Sequence, residues 1–268
     1  MKQGVLVISH GSREADWIKL VDDAVNEAAS SLSLSGVPVV SAFLEIVEGR
    51  LIQDGIWELE RQGVTDIYVL PLFVSSGSTH VDEIAQAFGL PAAHGLQGDL
   101  EPFEVKAARV RFGQPIDDDP EVAEILLGHI RELSREPERE ALLLIGHGSR
   151  EAGFHERWQQ GMSLLGSRLC SLGGFARAEQ AMLLPDQAAE KLRGMQAERP
   201  DEAVIVVPLF LSRGYFTNHV IPGRLQGLSY RYNGKALLPH PAIAKWIARQ
   251  AAAGLEGCGS GWAGSSGG

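Results

Sequence analysis

Apolar residues along this chain gather in short unbroken runs separated by longer amphipathic stretches. "GVLVIS" at 4–9 has no polar interruption until its end, as expected of a parallel strand covered on both faces. The stretch that follows places Trp17, Leu20, Val21, Ala24, Val25 and Ala28 at helical spacing. A second strand is predicted over 37–44, and a helix over about 48–62 with Gly63 as its C-cap. A third strand follows over 66–73, then a Ser/Gly-rich loop and a helix, a fourth strand over 108–113, and a last helix from about 119. The order then recurs: strand 141–146, a helix from 151, strand 177–184, a helix opened by Pro185, and strand 203–210. Trp17, Trp57, Trp158 and Trp246 lie on amphipathic faces and read as core.

The recurrence is literal in places. "SHGSREADW" at 9–17 returns as "GHGSREAGF" at 146–154, and "VLPLFVSSG" at 69–77 as "VVPLFLSRG" at 206–214. His10 to His147 and Pro71 to Pro208 both span 137 positions. So long a period marks a duplicated domain rather than a solenoid repeat of about 20–50 residues. The expected fold is therefore α/β, with two tandem, pseudo-symmetric, doubly wound domains, each built on a parallel four-stranded sheet. The expected boundaries are 1–130 and 141–252, joined by the charged connector 131–140 and followed by a flexible Gly/Ser tail at 253–268.

Composition narrows the class. A chain of 268 residues with 44% apolar and 22% charged residues is globular, and a net charge of −10 argues against a nucleic-acid or membrane-surface partner. Cys170 and Cys258 form no CxxC pair, so a thiolate metal site is not expected, and so few cysteines fit a reducing, cytoplasmic setting. The N-terminus lacks a signal-peptide pattern, and no stretch approaches the roughly 18 apolar residues of a membrane span.

Chemistry is expected where strand order reverses, at the carboxyl ends of the first and third strands. His10 follows the first strand, and His80 lies shortly after the third; Glu45 ends the second. Two imidazoles and one carboxylate leave coordination positions open, which suits a labile divalent metal. His147 and His219 repeat the histidines, but Leu184 stands where the first half has Glu45. The loop also lengthens there: Gly77 to His80 is three positions, and Gly214 to His219 is five. The first half is therefore expected to carry the chemistry, with His147 and His219 as a possible second metal site. The second half is expected to close the cleft over one site between the lobes.

HGSR after the first strand, FLE at 43–45, and PLF followed by a small-residue loop and His80 together resemble the sirohydrochlorin chelatases, in their long tandem form. The resemblance spans roughly residues 3–250 and implies ATP-independent insertion of Co²⁺ or Fe²⁺, with Ni²⁺ also conceivable, into sirohydrochlorin or a related tetrapyrrole. The metal is a substrate there, and no cofactor is permanently bound. The resemblance implies that His10 and His80 hold the metal, that His10 also accepts a proton, and that Glu45 contacts metal or substrate. It likewise implies that Ser75, Ser76, Gly77, Ser78 and Thr79 border the tetrapyrrole. Arg13 would pair with its carboxylates, as would Arg50, Arg150 and Arg213.

No GxxxxGK[ST] motif is present, so an ATP-driven reaction is not expected. A metal chaperone or sensor would use the same histidines without a macrocycle pocket. An α/β hydrolase or mutase would use His10 as base or nucleophile, yet no G-x-S-x-G elbow supports it. Internal duplication commonly takes the place of a homodimer, which predicts a monomer.

Overall fold

In a computed structural model that describes residues 1–257, the apolar runs pair as parallel strands in two separate sheets. The first sheet comprises β1 (Gln3–Ser9), β2 (Val39–Phe43), β3 (Asp66–Pro71) and β4 (Arg109–Phe112), in the order β2-β1-β3-β4. Between them lie α1 (Ala15–Ala29), α2 (Ile52–Arg61) and α3 (Thr79–Ala87). The second sheet has β5 (Glu140–Gly148), β6 (Arg177–Leu184) and β7 (Ala203–Pro208), in the order β6-β5-β7, with α5 (Phe154–Gly173) and α6 (Ala188–Glu198) between them. The α/β class and the duplicated, doubly wound plan are as expected.

Three local expectations change. The second sheet has three strands rather than four: where β4 would recur, Arg231 makes a single bridge to Ile205, and soon after it Lys235 N donates to Asn233 Oδ1 at 3.2 Å around Gly234, whose φ is +66°. Pro185 does not open α6, which starts at Ala188; Asp186 accepts the Ala188 amide, and Gln187 is tied to Met182 through both its backbone and its side chain. Trp158 and Trp246 are buried and Trp17 half-buried, but Trp57 is 40% exposed.

The compact units do not follow the repeat along the chain. One comprises residues 1–116 and the C-terminal segment from His240; the other is Asp117–Pro239. Thus α4 (Pro120–Arg131), which follows the first sheet in sequence, packs on α5 and β7, whereas α8 (Pro241–Leu255) packs on α1 and β3. Each sheet is covered by the closing helix of the other repeat. The expected tail begins inside α8, and its residues from 258 onward lie outside the described residues.

Leu6, Ile8, Ile56, Val69 and Ile84 form the heart of one core, and Leu143, Ile145, Leu192 and Val206 that of the other. At the amino end of each sheet a buried carboxylate meets an arginine. Arg111 grips Asp66 at 2.6 and 3.0 Å and also holds the Gly254 carbonyl of α8. Arg231 holds Glu140 and the Leu133 carbonyl, while Ser134 donates to Glu140 at 2.5 Å. Burial alone would raise both carboxyls. The hydrogen bonds from Arg111 and Gln3 to Asp66 outweigh it, as do those from Ser134 and the Arg135 and Glu136 amides, with Arg231, to Glu140, so both are held below the usual carboxylate range.

A carboxyl whose folded pKa is depressed contributes stability above its ordinary value, about 4, and loses it as pH falls through the folded one. The unfolding midpoint should therefore decline below about pH 4. Arg111→Met and Arg231→Met should each cost about 3 kcal/mol at neutral pH, because an unpaired buried charge remains. Each variant should then lose less on further acidification than wild type; an acid slope identical to wild type would contradict the assignment.

Candidate functional site

The site grows from the way β1 ends. After Ser9 the chain turns into α1 through His10 and Gly11, and Gly11 has φ +105°. A Cβ at Gly11 would stand 2.2 Å from the Glu45 carbonyl oxygen, so only glycine allows this approach. The approach is locked by backbone bonds from Leu44 N to Ser9 O (2.9 Å) and from Glu45 N to His10 O (3.1 Å). As a result His10 Nδ1 lies 3.5 Å from Glu45 Oε1.

Glu45 is itself held by a tight turn: Val47 N donates to Glu45 O at 2.9 Å around Ile46, whose φ is +73°. That conformation is strained for a β-branched residue. Strain is thus stored one position beyond the carboxylate.

The third strand supplies the other imidazole. β3 lies beside β1 at the switch point, and its loop runs into α3, whose first turn carries His80. The His10 and His80 rings meet edge-to-face with centroids 5.0 Å apart. This is the convergence that the strand order predicts.

The His80 Nδ1 is 3.2 Å from Glu83 Oε2, one helical turn on. The sequence reading passed over Glu83; the i,i+3 spacing of His80 and Glu83 on a helix is the signal that was available. On each histidine the Nδ1 has an oxygen neighbour, which leaves Nε2 as the basic nitrogen for an ion.

Both histidine side chains are more than 40% exposed and able to turn. Among the described residues no group of three or more His, Cys, Asp or Glu side chains stands ready-made around an ion. His10 is the hub of pairs, and it could hold an ion with His80 and a carboxylate once these close on it.

The loop residues divide. Ser75 is buried and its hydroxyl accepts the Gly77 amide at 3.0 Å, so it shapes the loop and does not face outward. Gly77 is buried as well, whereas Ser76, Ser78 and Thr79 are half-buried. Arg13 is exposed, with no ion pair or hydrogen bond from its side chain among the described residues. Arg50 is committed elsewhere: it binds Asp22 at 2.6 and 2.8 Å and Ser41 at 2.5 Å, and lies over the Phe43 ring.

The second unit reproduces the backbone but not the chemistry. Gly148 has φ +82°, and its Cβ would stand 2.4 Å from the Leu184 carbonyl oxygen. Gly148 also faces Leu184 in the β5–β6 register, which puts Leu184 in the place of Glu45. The loop two residues longer forms a π-helix at Phe216–Val220, with α7 (Ile221–Arg224) following. His147 meets the Phe216 ring there, edge-to-face at 5.2 Å, and His219 lies beside Tyr215 at 5.8 Å. The structure does not pair the rings of His147 and His219, so the possible second metal site is not assembled as the first is. Asp186, two positions past Leu184, is tied to Arg224.

The chain matches the CbiX family twice, over residues 4–133 and 141–253. It belongs to that family. The double match bears out the resemblance to sirohydrochlorin chelatases of the long tandem form. No curated protein sequence matches the chain.

Solved structures share the fold. SirB from Bacillus subtilis with Fe³⁺ aligns with TM-score 0.72 at 20% identity, covering 96% of this chain and 98% of its own. The sirohydrochlorin chelatase SirB from Bacillus subtilis subspecies spizizenii, in complex with cobalt, aligns at 0.67 and 21%, covering 96% and 98%. CbiX, described as the terminal enzyme of sirohaem biosynthesis in denitrifying bacteria, aligns at 0.61 and 16%, covering 96% and 100%.

Glu83 gives the arrangement a direct test. A carboxylate on the far nitrogen of a metal-binding imidazole fixes its tautomer, and its loss typically costs about 10–100-fold in affinity. Glu83→Gln should weaken Co²⁺ binding within that range, measured by titration calorimetry; unchanged affinity would remove Glu83 from the site.

Proposed function

We propose that this CbiX-family chain is an ATP-independent chelatase, a lyase, that inserts a divalent metal into sirohydrochlorin or a close relative, and that its first unit performs the insertion. The observation that carries this reading is the pairing of His10 with Glu45 and with His80 at the switch point of the first sheet.

Insertion exchanges M²⁺ for the two pyrrole N–H protons of the free macrocycle, so the metal must arrive with bases beside it. Nε2 of His10 and of His80 would hold the ion loosely. As the metal passes to the pyrrole nitrogens, His10 is released as a neutral imidazole and accepts one proton near neutral pH. Glu45 takes the other. Few ligands and half-exposed side chains keep the ion transferable, which a closed four-ligand cage would prevent.

Arg13, exposed and without an ion pair among the described residues, is the cation best suited to a carboxylate of the substrate, and Ser76, Ser78 and Thr79 border its path. Imidazole and carboxylate accept Co²⁺, Fe²⁺ and Ni²⁺ alike, and we favour Co²⁺ or Fe²⁺. The SirB structures with cobalt and with Fe³⁺ support that choice. We place the protein in the cytoplasm as a monomer; among the described residues no helix is long and apolar enough to cross a membrane.

Anaerobic incubation of sirohydrochlorin with Co²⁺, followed by absorbance, tests this reading. Wild type should accelerate insertion, and His10→Ala should lose about 100-fold, the typical contribution of a positioned base. His147→Ala should lose less than His10→Ala. No acceleration by wild type with Co²⁺, Fe²⁺ or Ni²⁺ would overturn the chelatase assignment, and metal binding without turnover would then favour a chaperone.

A further inference from the structure

The second unit keeps what its chemistry does not require. Gly148 preserves the tight turn after His147, and His147 itself remains exposed, although Leu184 has removed the carboxylate that would help it hold a bare ion. The His147 Nδ1 is 3.1 Å from the Gly148 carbonyl oxygen, which can only accept, so in the neutral tautomer that this contact favours the Nε2 electron pair is the open one.

One imidazole with an open Nε2 and no carboxylate is a poor cage for M²⁺. It is a suitable axial ligand for a metal that already has four nitrogens around it.

The surroundings of His147 fit the same ligand. The two-residue insertion forms a π-helix, a form found mostly at functional sites. It carries Phe216 against the His147 ring and stacks it on Phe210 at 5.5 Å, while leaving Phe216 37% and Tyr215 71% exposed. Exposed aromatic rings next to an exposed imidazole offer apolar contact to a flat macrocycle. Two cations are close along the chain: among the described residues, Arg150, three positions after His147, and Arg213, two before Tyr215, make no side-chain hydrogen bond or ion pair. Asp186, two positions past the end of β6, is paired with Arg224. The arrangement offers aromatic faces and cations to a polycarboxylate ring, and one nitrogen to its metal.

The geometry points to a second site in this unit, at which His147 Nε2 binds a metallated tetrapyrrole, with Phe216 and Tyr215 against the ring and Arg150 and Arg213 toward its carboxylates. On binding, the metal gives up an axial water and receives the Nε2 electron pair, and no oxidation state changes. Only the identity of the ligand as this chain's own product rests on the chelatase reading.

Cobalt(II) sirohydrochlorin prepared by chemical insertion, added anaerobically to the full chain and followed by electron paramagnetic resonance, tests the site without any turnover. Wild type should show the nitrogen splitting of one axial imidazole. The splitting should persist in His10→Ala and disappear in His147→Ala and in His147→Gln, which retains a hydrogen-bond donor. Affinity should fall about tenfold or more in both His147 variants.

Absence of the splitting in wild type, or its loss in His10→Ala with retention in the His147 variants, would overturn the site. Equal affinity for cobalt protoporphyrin, which bears fewer carboxylates, would overturn its assignment to the product. Normal insertion by a chain without the splitting would refute this inference alone, and splitting without insertion would refute the chelatase reading alone.

Discussion

The candidate site depends on how closely the end of β1 approaches the end of β2. Gly11 has no side chain, and the space a Cβ would fill is occupied by the carbonyl of Glu45. Two backbone bonds hold the strand ends at that distance, and the strained turn at Ile46 aims the chain away immediately afterwards. Any other residue at Gly11 would have to push β2 outward and carry Glu45 from His10. The sheet order then brings His80 to the same place through β3, and Glu83 steadies it from the next turn of α3. A site of this kind is assembled from strand ends and one helix start, with the core beneath serving as its rigid support.

The duplication shows how little needs to change for the same scaffold to present a different set of side chains. Gly148 and Leu184 repeat the backbone approach of Gly11 and Glu45 almost unaltered. Replacing one carboxylate by leucine and lengthening one loop by two residues is enough to separate His147 from His219 and put aromatic rings beside each. The exchange of α4 and α8 between the repeats means that neither sheet is covered by its own closing helix. Each repeat cut from the chain would expose an apolar face, which favours keeping both copies.

Much of this was legible along the chain because the signals are local. Unbroken apolar runs gave the strands, their alternation with amphipathic stretches gave a parallel sheet, and the reversal of strand order between the first and third strands placed His10 and His80 together. The substitution of Leu184 for Glu45 was visible by setting the ends of the second strands side by side, "SAFLE" at 41–45 against "QAMLL" at 180–184. The features that escaped depend on packing across long separations. Nothing in residues 120–131 says which sheet that helix will cover, and Arg50 reads as an available cation until Asp22 is seen beside it. Where a fourth strand of the second sheet would run, Arg231 makes one bridge, and the Asn233 side chain then takes the Lys235 amide around the positive φ of Gly234. The longer loop before His219 was apparent as a length, whereas its winding into a π-helix arises from the contacts of Phe216 with Phe210 and His147.

The central claim is that one unit, and not both, handles the free ion. Equilibrium dialysis of the full chain against Co²⁺, with wild type and the double variant His10→Ala/His80→Ala, addresses it most directly. The account predicts one bound ion per chain, lost in the double variant. Two equivalent ions per chain, or one that survives the loss of both histidines, would contradict it.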